Sequence, residues 1–257
     1  MIASPLFVIS RQVMREAWRR RTLPVLALFG CGIIIASAFL SFFQLGTEIK
    51  FFKDVAMTVI FLFGAMATLV LVSTQLSGEI ESRTIYNVLS KPVRRYELVL
   101  GKFFGATAAI AVAVAPMVTI LMFFMYVDQG GSLFEAVKAG YMLWLSFVVL
   151  SAVALAIASF SSSIVCAALS VLVYVASYLK GAVIAYAGMV TYSRVAAGAA
   201  QAFYYLLPNF ENLNVRMAVV HNEVVPWAYL FRTTLYAAAL SAFFLYLGTQ
   251  IFEEREF

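Results

Sequence analysis

Charge is what this chain has least of. Only 12% of its 257 residues are Asp, Glu, Lys or Arg, whereas 63% are hydrophobic. A typical soluble domain has about 25% charged residues and far less apolar material. No water-soluble core could bury that much apolar surface. The composition therefore excludes a soluble globular protein and indicates a protein that is dissolved in a bilayer.

Histidine and cysteine are also scarce. The chain has one histidine, His221, and two cysteines, Cys31 and Cys166, both inside apolar runs. A disulfide framework is therefore not expected, and no cysteine and histidine residues have the spacing of a metal site. We interpret both cysteines as small hydrophobic residues. The formal net charge of +5 comes without any nucleic-acid-binding motif, so we expect no nucleic acid as a partner.

Long apolar runs dominate what is there, and six are long enough to cross a hydrocarbon core about 30 Å thick. The alternating pattern of a membrane barrel is missing, so the fold class we predict is an all-α integral membrane protein with one domain over residues 1–257. "FSSSI", residues 160–164, divides the fourth span from the fifth. The predicted spans are residues 23–43, 55–76, 98–127, 136–160, 164–186 and 227–249.

The positions of lysine and arginine predict the orientation. Five arginines precede the first span, and five basic residues lie between the second and third spans. The positive-inside rule then predicts cytoplasmic N- and C-termini in a multi-pass protein of the cell (inner) membrane. A Ser4-Pro5 start and one-sided arginines predict an amphipathic helix before the first span, lying in the membrane interface. The basic residues in question are Arg11, Arg15, Arg19, Arg20 and Arg21, then Arg83, Lys91, Arg94, Arg95 and Lys102.

One dense polar block interrupts the apolar chain: "GEIESRTIYNVLSKPVRRYELVLGK", residues 78–102. Ile85, Val88 and Leu89 share one face of a short helix, and Pro92 predicts its end at the preceding residue. The block therefore predicts an amphipathic helix, a bend and a basic turn at the cytoplasmic membrane surface. A solvated loop that only sets the topology is the alternative.

The order of residues in this block resembles the cytoplasmic loop of type 2 ABC transporter permeases. In that family a Gly-Glu-x-Glu start is followed by Thr, Leu, Pro-x-x-Arg and Gly-Lys; Arg83 stands where the family often has glycine. The resemblance implies a coupling helix, within residues 77–97, that docks on the ATP-binding subunit. The matching positions are Gly78, Glu79, Glu81, Thr84, Leu89, Pro92, Arg95, Gly101 and Lys102. The implied docking residues are Glu79, Glu81, Arg83, Thr84, Leu89, Pro92, Arg94 and Arg95.

The last third of the chain carries the resemblance further. Residues 204–216, residues 219–227 and the terminal "IFEEREF" are similar to the branch that includes the accessory permease of nitrous oxide reductase maturation. Asn222 stands where many of that branch have glycine. An external loop at residues 187–226, with a helix over residues 191–207, is expected to shape the exit.

The resemblance implies a permease subunit of an ATP-driven exporter, with two ATP-binding subunits and a second permease chain, identical or different. The chain has no G-x-x-x-x-G-K-[ST] sequence, so no cofactor is expected on it, and ATP and Mg²⁺ would bind the partner subunit. The chain itself would be no enzyme, and membrane lipid would surround it. The substrate stays open.

Two other functions stay open from the residues. One is a membrane scaffold or sensor that docks on an ATPase and transports nothing. The other is an intramembrane enzyme, for which the chain offers no G-x-S-x-G arrangement and only Glu79 and Glu81 as a close carboxylate pair. Lys180 inside the fifth span is either a functional site or a lysine that reaches toward the outer interface. The lone His221 has no second metal ligand nearby.

Overall fold

The computed structural model describes residues 5–41, 48–81, 94–127, 132–190 and 207–254; of residues 41, 48, 49 and 181–190 it describes the backbone only. Most of these residues are helical, and they include no β-strand. The all-α prediction is therefore confirmed. The helices are α1 (Pro5–Arg19), α2 (Thr22–Ser41), α3 (Glu48–Gln75), α4 (Ser77–Glu81), α5 (Arg95–Val127), α6 (Leu133–Ala158), α7 (Ser163–Val190), a 3₁₀ turn (Glu211–Leu213), α8 (Arg216–Val220) and α9 (Trp227–Glu254).

Six of these helices, α2, α3, α5, α6, α7 and α9, are long and apolar enough to cross a membrane. This confirms the six expected spans. A helix of 20 residues is about 30 Å long, which is the thickness of the hydrocarbon core. The turn between α6 and α7 falls at residues 159–162 and overlaps the serine-rich stretch that divides the long apolar run.

The α6 helix is the centre of the bundle. In its apolar stretch 78% of the residues are buried, against 28–56% in the other five spans. It packs against α3, α5, α7 and α9. Small residues permit this close packing: a Cβ atom added to Gly248 of α9 would lie 3.0 Å from the Cα atom of Ala156 in α6.

The α1 helix lies across the first turns of α5. A Cβ atom added to Gly101 would lie 2.8 Å from the Ile9 side chain, and one added to Gly105 would lie 2.7 Å from the carbonyl oxygen of Ser10. These two glycines, four residues apart, form the seat for α1. The expected amphipathic helix is present, and the Ile9 and Val13 side of it contacts α5. The three arginines Arg11, Arg15 and Arg19 are exposed.

Up-and-down connections give the bundle two ends. The α1 end contains α1, α4, the first turns of α5 and α7, and the last turn of α9. The α8 end contains the first turns of α3, α6 and α9, together with residues 207–226.

Candidate functional site

A buried ion pair organises the α1 end. The Nζ atom of Lys102 lies 2.6 Å from Oε2 of Glu79 and donates a hydrogen bond of 2.7 Å to the carbonyl oxygen of Gln75. Lys102 is only 2% exposed. Because an unpaired buried ammonium group costs several kcal/mol, the Glu79 carboxylate and the free carbonyl at the end of α3 stabilise it together. The pair ties α3 and α4 to α5.

The second carboxylate of the Gly-Glu-x-Glu sequence holds another helix. Oε1 of Glu81 accepts a hydrogen bond of 2.9 Å from the backbone N–H of Ser163, and Oε2 accepts one of 3.1 Å from its hydroxyl group. Ser163 is the first residue of α7, where a negative charge is favourable. Ser77, also in α4, donates to the carbonyl oxygen of Ala158 at the end of α6. The short helix α4 thus contacts three spans besides α3: α5, α6 and α7.

Arg95 connects the start of α5 to the end of α9. Its Nη1 atom donates to the carbonyl oxygens of Phe252 (2.8 Å) and Glu253 (3.0 Å). Its guanidinium carbon lies 5.8 Å from the Phe252 ring centroid. The last carbonyl groups of a helix lack partners within the helix and carry its negative dipole end, so a guanidinium group is a suitable cap.

Arg94 directly precedes α5 and is exposed. Its backbone N–H donates to Oε2 of Glu97 (3.0 Å), while the backbone N–H of Glu97 donates to the Arg94 carbonyl. The Arg94 guanidinium donates to the Tyr96 hydroxyl at 3.3 Å. This hydrogen bond, followed by the charges of Tyr96 and Glu97, raises the pKa of Arg94. The guanidinium therefore stays charged at any physiological pH.

The expected docking residues divide into two groups. Residues 82–93, with the expected coupling helix, lie outside the described residues, and so do Arg83, Thr84, Leu89 and Pro92. Glu79 and Glu81 stand just before this segment, and Arg94 and Arg95 just after it. Glu79, Glu81 and Arg95 bind other helices of the same chain. Sequence reasoning missed this anchoring role; the signal was Lys102, a positive charge at the border of an apolar run that has to find a negative partner.

Residues 207–226 cover the α8 end and are held to α3. Nζ of Lys53 donates to Oδ1 of Asn222 at 2.6 Å, and Nη2 of Arg216 lies 2.7 Å from Oδ1 of Asp54. Asn222 has a φ angle of 58°, a left-handed conformation that glycine adopts freely and asparagine tolerates. The backbone at this position is therefore compatible with either asparagine or glycine.

The same segment is held to α6 through a buried pair. Nζ of Lys138 lies 2.6 Å from Oε1 of Glu135 and donates to the carbonyl oxygen of Val225 at 2.9 Å. The Val225 N–H donates to Oε2 of Glu135 at 2.9 Å. Nζ of Lys138 also lies 4.8 Å from the Trp227 ring centroid. Every polar atom of the ion pair thus has a partner, as burial requires.

Lys180 is also covered by this segment. Its side chain is 2% exposed, and its Nζ atom donates to the carbonyl oxygen of Pro208 at 3.4 Å. Lys180 is therefore enclosed by the protein at the α8 end, and the choice between a functional site and a lysine that reaches toward the interface stays a prediction. The ammonium group lies under the 207–226 segment, where the Phe210 ring packs 4.9 Å from Tyr174. His221 is exposed after the end of α8, and the expected helix over residues 191–207 lies almost wholly outside the described residues.

Comparison with known protein families gives a match to the model described as "ABC-2 family transporter protein". It covers residues 22–256, which is nearly the whole chain; α1 lies outside it. Comparison with curated proteins gives no significant match. The matched range contains all six spans. It also contains the Glu79–Lys102 ion pair at the α1 end and the ion pairs at the α8 end.

Proposed function

This chain belongs to the ABC-2 family of transporter proteins, and we propose that it is the permease subunit of an ATP-driven exporter. It is a multi-pass membrane protein with six spans, and its family is one of membrane subunits that associate with an ABC ATP-binding subunit.

One observation supports the coupling mechanism most directly: the residues just before and just after 82–93 are bonded to the spans. Glu79 and Glu81 fasten the residues before the segment to α5 and α7. Arg95 fastens the residues after it to the end of α9. A displacement of the segment by a partner would therefore move at least three spans at once, without passing through a long linker.

We propose that two ATP-binding subunits dock on residues 77–97 and that a second permease chain, identical or different, completes the transporter. ATP and Mg²⁺ would bind to the ATP-binding subunits, because this chain has no phosphate-binding loop sequence. Its own contribution would be mechanical. Among the docking residues, those within 82–93 would contact the partner, and Glu79, Glu81 and Arg95 would position them.

The proposed location is the cell (inner) membrane, with the α1 end in the cytoplasm. Exposed arginines on α1 and the arginines of the polar block support this orientation. Within the family, we place the chain in the branch of the nitrous oxide reductase maturation permease. The stretches at residues 204–216 and 219–227 support that assignment.

The first experiment is site-specific photo-crosslinking in native membranes. A photoreactive amino acid at Thr84, in the docking segment, is compared with one at Val224, which is exposed at the α8 end. We expect Thr84 to yield an adduct with a soluble subunit that carries a Walker A sequence, and Val224 to yield none.

Three results are informative. Adducts at Val224 alone would show that the α8 end, and not the α1 end, faces the ATP-binding subunit. If neither position captures an ATPase, and none copurifies with the chain in mild detergent, the permease proposal is wrong. The third result is a captured ATPase that hydrolyses ATP at the same rate with and without this chain after reconstitution. That result would favour a membrane scaffold over a transporter.

A further inference from the structure

The bundle has a long apolar crevice between α5 and α9. Both helices pack closely on α6 but make few contacts with each other. The space between them has a volume of about 520 Å³. The Arg95 hydrogen bonds to the last carbonyls of α9 close it at the α1 end. The Tyr141 and Thr234 hydroxyl groups, 3.1 Å apart, bridge α6 and α9 at its other limit.

The crevice opens sideways, toward the bilayer. Its floor contains the buried residues Phe103, Leu145 and Ala237, whereas its rims carry Phe104 (48% exposed) and Tyr246 (62% exposed). No charged side chain is among the described residues that line it. An apolar, laterally open space of this kind admits hydrocarbon and excludes an aqueous solute.

The length of the crevice matches that of a lipid acyl chain. From Thr234 to Thr249, both in the lining, the α9 axis advances by about 22 Å. One leaflet contributes about 15 Å of hydrocarbon, so a whole acyl chain of one leaflet fits along the crevice. A helix of a partner protein, about 10 Å wide, does not fit between α5 and α9, because these two helices still contact each other directly.

A positive charge lies at the α1 end of the crevice. Tyr96 lines this end, and the Arg94 guanidinium lies 3.3 Å from its hydroxyl group and 6.0 Å from its ring centroid. The nearest carboxylate in this turn, that of Glu97, is bonded to the Arg94 backbone N–H. The guanidinium is exposed and matches the geometry of phosphate oxygens.

We propose that this crevice is a phospholipid-binding site. One acyl chain of a lipid from the leaflet at the α1 end would lie between α5 and α9, and its phosphate group would accept hydrogen bonds from Arg94. The inference depends on the membrane location of the chain and not on any ATPase, so it can fail or hold independently of the transport function.

The test uses the whole protein in nanodiscs that contain a phospholipid with a diazirine group in its acyl chain. After irradiation, we expect the lipid adducts to concentrate in peptides that contain residues 96–104 and 234–249. The Ala242→Phe change fills the crevice and should lower this labelling about tenfold. The matched control is Ala239→Phe, at an exposed alanine of α9 outside the crevice lining, which should leave it unchanged.

The headgroup is tested by the Arg94→Gln change. We expect labelling in the crevice to fall about three- to tenfold, in line with the loss of one charge-assisted hydrogen bond. The control is Arg19→Gln, an exposed arginine on α1. Phosphate-bearing lipids with anionic and zwitterionic headgroups should both bind, whereas a diacylglycerol without phosphate should label about as weakly as the Arg94→Gln variant.

A change at Ser241 is the experiment that could contradict the phospholipid proposal most directly. Its hydroxyl group lines the crevice, is buried and has no hydrogen-bond partner among the described residues. An acyl chain offers it no strong acceptor, so the Ser241→Ala change should leave labelling unchanged. A large loss in this variant would mean that a molecule with a polar group occupies the crevice and would overturn the proposal. So would uniform labelling of all six spans, or equal losses in Ala239→Phe and Ala242→Phe.

Discussion

Lys102 of α5 and Glu79 of α4 form an ion pair across 2.6 Å, with the lysine 2% exposed and the glutamate side chain 25% exposed. The two residues are 23 positions apart, one before and one after residues 82–93. The pair therefore joins α4 directly to α5.

The first prediction concerns this pair. Glu79→Gln removes the negative charge that compensates the buried Lys102 ammonium group, so we expect a loss of about 2–4 kcal/mol in the free energy of unfolding. Lys102→Met added to this variant should restore most of that loss. Chemical unfolding in detergent measures it, with Glu254→Gln, an exposed carboxylate at the end of α9, as the control. A single variant as stable as the wild type would contradict the importance of the pair.

The second prediction concerns the cap of α7. Replacement of Glu81 by alanine removes both hydrogen bonds to Ser163, and we expect a cost of about 1 kcal/mol. Ser163→Ala removes only one of them. A double-mutant cycle between the two positions should give a coupling energy of about 0.5–1 kcal/mol. Strict additivity would show that the contact contributes nothing to stability.

The third prediction concerns the seat of α1. A methyl group at Gly105 would lie 2.7 Å from a backbone oxygen of α1, so Gly105→Ala should displace α1 from α5. The control is Gly32→Ala in α2, where an added Cβ atom meets nothing within 4 Å. The readout is protease cleavage after the α1 arginines, which should become faster in Gly105→Ala only. Equal cleavage rates in the two variants would place α1 elsewhere.

The fourth prediction concerns Arg95 and the end of α9. Arg95→Gln removes the partner of two carbonyl groups, so the last turn of α9 should fray. Hydrogen exchange of the amides in residues 250–254 should become about tenfold faster, as expected for a loss of about 1.4 kcal/mol in local stability. Arg19→Gln, whose arginine is exposed on α1, should leave this exchange unchanged.

The fifth prediction compares the two ion pairs at the α8 end. Glu135 and Lys138 have side chains 10% and 7% exposed, whereas Asp54 and Arg216 have side chains 41% and 28% exposed. Breaking the buried pair with Glu135→Gln should cost about 2–4 kcal/mol, and Asp54→Asn should cost less than about 1 kcal/mol. Chemical unfolding of both variants measures the two losses in free energy. A larger loss for Asp54→Asn than for Glu135→Gln would show that water reaches Glu135.

Sequence reasoning succeeded where a single physical preference acts along the chain. Hydrocarbon demands long apolar helices, so all six spans could be predicted from run length, and the serine-rich stretch marked the turn between α6 and α7. The same reasoning treated Glu79, Glu81 and Arg95 as surface contacts for a partner. Their intramolecular bonds join residues 23, 82 and 157 positions away, respectively, and no local pattern encodes such pairings.

The sequence by itself determined that this protein lives in a membrane, how many times its chain crosses, where its polar block lies and which family the block resembles. Those properties follow from composition and local order. Only the tertiary structure decided that Lys102 neutralises Glu79, that Lys180 lies under the 207–226 segment and that α5 and α9 leave a crevice over α6. The reason is that burial of a charge, or a gap between helices, depends on which faces meet, and that is settled only when distant segments pack together.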